Sequence, residues 1–146
     1  MKREDTVRTL LNSIPIFTNR NWGYPEKNNR ATELAHSIKK AVNLRNDAEM
    51  EKLVVEINHF MSPTFVLFER MKRLTERQGQ RTWRTMQDNA TWGGLMDRTL
   101  VIIRRRDNAE LTEIALRIIR FLRRRNEHVL AQNLEEAANI CKPQRR

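Results

Sequence analysis

The stretch Asp107-Asn108-Ala109-Glu110-Leu111-Thr112-Glu113-Ile114-Ala115-Leu116-Arg117-Ile118-Ile119-Arg120-Phe121-Leu122-Arg123-Arg124-Arg125 decides the fold class. Leu111, Ile114, Ala115, Ile118 and Leu122 recur at the spacing of one face of an amphipathic helix. Asp107, with Glu110 three residues on, supplies a capping box for its first turn. Arg117, Arg120 and Arg124 fall on the opposite face, so the helix that offers a core stripe also presents a cationic one.

The same period recurs on both sides. Ala31, Leu34, Ala35, Ile38, Ala41 and Val42 mark a helix over 27–45. Asn46, followed by Glu49, caps another whose stripe is Met50, Leu53, Val54, Ile57, Phe60 and Met61. Ser62-Pro63 begins a helix that runs toward Gly79. Trp83, Met86 and Ala90 share a weaker face, and Trp92-Gly93-Gly94 reads as an interruption, with a new helix starting at the glycines. Leu95, Met96, Thr99, Leu100 and Ile103 precede the quoted stretch; Leu130, Leu134, Ala137, Ala138 and Cys141 follow it. At the start, Val7, Leu10, Leu11 and Ile14 form a short helix that Pro15 ends.

The expectation is an all-α fold: a single-domain helical bundle of about six to seven helices over 1–146, with an aromatic loop at 15–25 and a basic tail at 142–146. A chain of this length buries roughly 70% of its unfolded surface, enough for one core. Four Gly and four Pro give little of the turn punctuation that a sandwich or barrel needs. Two segments, Arg45 to Phe60 and Arg106 to Phe121, align without gaps and share Arg, Ala, Glu, a central Ile and the closing Phe. Stacked helical hairpins would produce this, and so would two unrelated capped amphipathic helices.

Cys141 is the only cysteine, so no intrachain disulfide forms, and a reducing compartment, cytoplasm or nucleus, is expected. The N-terminus is followed by no apolar signal core, and no stretch approaches the ~20 apolar residues of a membrane span, so no membrane partner is expected. Lys and Arg total 28 against 18 Asp and Glu, a net charge of +10, and 21 of the 28 are Arg. The planar guanidinium fork matches phosphate oxygens, and its preponderance points beyond solubility.

The expected site is a basic surface for a nucleic acid, RNA rather than DNA. Arg104, Arg105 and Arg106, with Arg117, Arg120, Arg123, Arg124 and Arg125, concentrate charge able to displace condensed counterions. The bland alternative is a solvated face neutralised in part by Glu113, Glu127, Glu135 and Glu136. A second stretch holds Arg73, Arg77, Arg81 and Arg84 around Trp83, an interleaving used to stack a base beside bound phosphates; Trp83 could equally anchor the segment to the core. The loop with Phe17, Arg20, Trp22 and Tyr24 suits packing over the open end of a bundle better than binding.

Catalysis and metal binding find no support in the pattern. His36, His59 and His128 are far apart and lack metal-ligand spacing, so no enzyme activity, metal or cofactor is expected. The aromatic strand motifs of RNA-recognition domains and a Gly-x-x-Gly loop are also missing. The competing class is a helical interaction module whose basic faces meet an acidic protein partner. Continuity separates the two, because a nucleic-acid track needs the 70–84 and 104–125 arginines on one connected surface. The run Phe65-Val66-Leu67-Phe68 cannot turn wholly toward one core, so one or two of its residues should meet another helix or another chain, and a homo-oligomer is expected.

Overall fold

The computed structural model describes residues 3–140. Within them the chain is all-α, with seven helices in the order α1 (Arg3–Thr18), α2 (Pro25–Asn43), α3 (Asp47–Phe60), α4 (Phe65–Gln78), α5 (Met86–Arg105), α6 (Asn108–Arg124) and α7 (His128–Ile140). Their contacts group into two compact units, residues 1–65 and 66–146. The expected basic tail at 142–146 and Cys141 lie outside the described residues.

In unit 1, α1, α2 and α3 all pack against one another. The α2 stripe is buried at Ala31, Leu34, Ala35, Ile38 and Ala41, and the α3 stripe at Met50, Leu53 and Phe60. In unit 2, α6 packs against both α5 and α7. The quoted α6 stripe is buried at all five positions, together with Ile119 and Phe121. Arg70 ties α4 to α7, donating to the Asn133 carbonyl at 2.8 Å.

The short alignment seen in the sequence extends back at a constant offset of 61 residues as far as the tryptophan loops, pairing Arg20, Trp22 and Asn28 with Arg81, Trp83 and Asn89. The α2–α3 turn places Arg45 at φ 49° and the α5–α6 turn places Arg106 at φ 53°. Both are Schellman ends: Asn46 N–H reaches the Ala41 carbonyl at 3.1 Å, and Asp107 N–H reaches that of Ile102 at 3.3 Å. These bonds offset the strain of a left-handed residue that is not glycine, about 1 kcal/mol or more. Asn46 and Asp107 then cap the next helices, accepting from the N–H of Glu49 at 3.2 Å and of Glu110 at 3.1 Å. The turn into α7 repeats the device, with Asn126 at φ 60° and Glu127 N–H on the Leu122 carbonyl.

The likeness includes the tryptophan loops. Trp22 N–H donates to Asn28 Oδ1 at 2.8 Å, and Trp83 N–H donates to Asn89 Oδ1 at 2.5 Å. Arg20 lies over the Trp22 ring at 4.5 Å and Arg81 over the Trp83 ring at 4.7 Å. Phe60 meets Trp22 edge-on at 4.8 Å, and Phe121 meets Trp83 edge-on at 5.0 Å, both at 86°. One local design is therefore built twice.

Four sequence expectations change. Helix α1 continues through Pro15 to Thr18, because Phe17 is buried against Phe60 and holds the last turn in place; the aromatic loop shortens accordingly. Trp83 sits before α5, not on its face: the Asn89 side chain accepts from the Trp83 N–H and donates to its carbonyl, fixing an extended lead-in. Trp92-Gly93-Gly94 does not interrupt, since α5 is one 20-residue helix across it. Trp92, 1% exposed, packs on Trp83 and Phe121 and donates its indole N–H to the Gln78 carbonyl at 2.7 Å. That anchoring outweighs two interior glycines, which cost about 1 kcal/mol each relative to alanine. Finally, Phe65, Val66, Leu67 and Phe68 are all buried within the chain, which removes the argument for a second copy.

A Cβ added at Gly93 meets open space, so Gly93→Ala is expected to raise the urea midpoint by the equivalent of about 0.5–1 kcal/mol. Trp92→Ala is expected to cost about 3–5 kcal/mol. Denaturant titration checks both, and a Trp92→Ala chain as stable as the parent would contradict the anchoring described.

Candidate nucleic-acid interface

Helices α5 and α6 run side by side from the Schellman turn at Arg106, and a groove of about 760 Å³ opens between them. Leu95, Ile114 and Phe121 contribute its apolar lining. Arg117, Arg120, Arg124 and Arg125 come from α6 and its C-cap, and Arg98 from α5. Five guanidinium groups thus share one concave surface. The first three are exposed while Ile118 and Leu122 on the opposite side are buried, as the helical period requires.

What the neighbouring carboxylates do decides how much of this charge remains available. Glu127 pairs with Arg81, Glu135 with Arg123, and Glu136 with Arg70. Arg98 pairs with Glu110 at 3.0 Å, and Arg125 pairs with Asp88. Among the described residues no acidic side chain pairs with Arg117, Arg120 or Arg124. Of the four acids that could have neutralised the α6 face, Glu127, Glu135 and Glu136 are committed to other arginines, and Glu113, one turn before Arg117, makes no ion pair among the described residues.

Two residues link the groove to its surroundings. Arg125 also lines a polar pocket with Arg81, Trp83, Arg84 and Glu127, and Arg120 also lines a shallow groove toward α7 with Arg123 and Glu135. Arg81 and Arg84 therefore adjoin the α6 cluster. Arg73 and Arg77 do not: they line a separate α4–α7 groove with Leu74, Leu130 and Leu134, so the continuity expected between the 70–84 and 104–125 arginines holds for Arg81 and Arg84 and fails for Arg73 and Arg77. Arg104, Arg105 and Arg106 sit at the far end of α5, two turns beyond Arg98, and are exposed.

Trp83 is half-buried, one face under Arg81 and its edges against Trp92 and Phe121. It organises the rim of the groove more than it offers a bare stacking surface. Trp22 plays the matching part in unit 1, with Phe17 at 6.2 Å and Phe60 at 4.8 Å. Lys27 lies over the Trp22, Phe60 and Phe65 rings, and burial, followed by repulsion from Arg20, holds its ammonium below the ordinary lysine range. Arg98 carries no signal in the sequence because no other basic residue lies within a turn of it on α5; only the pairing of α5 with α6 brings it to the others.

Among the described residues no group of three or more His, Cys, Asp and Glu could hold a metal ion, and no helix is long and apolar enough to cross a membrane. Compared with protein-family models, curated proteins and solved structures, the chain matches none.

The Asp88–Arg125 pair gives the rim a pH dependence. Hydrogen bonding from Arg125, the largest cause, holds the Asp88 carboxyl below its ordinary value of 3.8. The folded-state pKa is depressed, so the stabilisation is full above that value and fades as pH falls through the folded pKa. The stability gap between the parent chain and Asp88→Asn, measured by denaturant titration across acid pH, is expected to be constant near neutrality and to close below about pH 4. A gap unchanged in acid would show that the charge on Asp88 contributes nothing.

Proposed function

We propose that this chain is a non-enzymatic nucleic-acid-binding protein that holds the phosphate backbone, of RNA in preference to DNA, on the arginine surface of α5 and α6. The observation that carries the reading is the set of five arginines in one groove, three of them without an acidic partner among the described residues. Backbone contact by guanidinium groups is indifferent to base identity, so affinity rather than sequence recognition is what this surface supplies. Arg81, Arg84 and Arg123 extend it through the shared residues Arg125 and Arg120. Arg104, Arg105 and Arg106 add long-range attraction from the end of α5.

Fluorescence anisotropy with unrelated RNA sequences tests this. Affinities should agree across sequences, and log K should fall linearly with log salt, by about 0.7 per contacted phosphate for single strands. Changing Arg117, Arg120 and Arg124 together to Glu is expected to weaken binding at least about tenfold, or ~1.4 kcal/mol, with helicity retained. A flat salt response, or a triple variant that folds and binds normally, would refute the reading.

A further inference from the structure

The duplication provides an internal comparison for the α5–α6 groove. By the 61-residue offset, Thr91, Gly94 and Arg117 of unit 2 occupy the places of Arg30, Glu33 and Glu56 in unit 1. In unit 1 those three residues form an ion triad, with Arg30 bonded to Glu33 at 3.0 Å on its own helix and to Glu56 at 3.3 Å on α3. The triad straps α2 to α3 and carries two carboxylates. In unit 2 no member of it survives: the guanidinium becomes a hydroxyl, one carboxylate becomes a bare glycine and the other an arginine. Arg98 and Arg120 likewise replace Ser37 and His59.

Gly94 is the informative member. It lines the groove, its φ is ordinary for a helix, and a Cβ added there meets no atom within 4 Å. Neither packing nor backbone conformation requires glycine, although glycine weakens a helix interior. A side chain at this position would instead stand in the groove. The form of the groove bears on what can enter: a surface depression of about 760 Å³ between two packed helices can take one sugar-phosphate backbone along its floor, whereas an A-form duplex keeps its bases stacked inside and its phosphates on two separate strands, so that it would meet the rims and leave the floor empty.

We infer that the α5–α6 groove of unit 2 seats a single unpaired strand of nucleic acid, with its phosphodiester backbone passing Gly94, and that unit 1's corresponding face is closed to it by the Arg30 triad. This rests on the reading of the basic surface as a nucleic-acid interface and specifies the form of the partner. Unpaired strands also leave their bases free to stack on the exposed guanidinium planes of Arg117, Arg120 and Arg124.

The test uses the full chain with three fluorescent probes: an oligouridylate, an RNA duplex of equal length, and polyglutamate. The parent should bind the oligouridylate at least about tenfold more tightly than the duplex. Thr91→Arg/Gly94→Glu, which rebuilds the unit 1 pair without changing net charge, should lower oligouridylate affinity by about tenfold, and the neutral Gly94→Leu should do the same. Gly93→Leu, one residue away and outside the groove lining, should leave it within about twofold; circular dichroism should show intact helices in all three. Equal affinity for duplex and single strand would overturn the single-strand assignment while leaving the basic-surface reading in place. Normal oligouridylate binding by folded Gly94→Leu and Thr91→Arg/Gly94→Glu would overturn the seat at Gly94. A parent that binds neither nucleic acid, or binds polyglutamate as tightly, would overturn the underlying reading and this inference with it.

Discussion

The Trp92 indole stacks on the Phe121 ring at an interplanar angle of 30°, 5.7 Å between centroids, and its N–H reaches back to the Gln78 carbonyl at the end of α4. One side chain thereby fixes three elements: the last turn of α4, the middle of α5 and the C-terminal half of α6. The arginine groove depends on this contact. Arg120 immediately precedes Phe121 and Arg124 follows it by three residues, so the rotation of α6 that presses Phe121 onto the indole also fixes where those two guanidinium groups stand at the groove. The same anchoring lets α5 carry Gly93 and Gly94 without breaking. A packing interaction in the interior thus sets the geometry of a charged surface.

Much of the fold is legible in local sequence. The stripes of α2, α3 and α6, the Asn46 and Asp107 caps and the absence of strands among the described residues follow from periodicity and turn chemistry. The failures share one cause, which is tertiary contact overriding a local rule. Pro15 reads as a terminator because nothing nearby reveals Phe17 wedged against Phe60. The two glycines read as a break because the partners of Trp92 lie 14 and 29 residues away. Trp83 reads as helical until the side chain of Asn89 is seen holding its backbone from outside the regular ladder.

The candidate site divides in the same way. Arg117, Arg120 and Arg124 are legible because one helix carries them all at i, i+3 and i+7. Their electrostatic state is not, since it depends on Glu127 pairing with Arg81 and Glu135 with Arg123 instead. Charge counting along a sequence gives the total and cannot give the distribution. Here the distribution matters more: carboxylates satisfy the arginines at the margins and leave the middle of α6 uncompensated among the described residues.

Two units with matching turns, caps and aromatic loops raise a problem of fidelity during folding. Helices α2 and α3 have counterparts in α5 and α6 joined by the same turn, and tandem repeats are prone to misassembly by exchange of equivalent elements. The inward faces of α2 and α5 differ where such exchange would be decided. Ala31, Ala35 and Ala41 stand against Trp92, Met96 and Ile102 at the corresponding positions. Seating α2 in the place of α5 would leave voids the size of an indole, and the reverse would overfill a core built around alanine. Divergence in side-chain volume therefore works as a proofreading code, allowing each copy to keep the common backbone plan while accepting only its own helix.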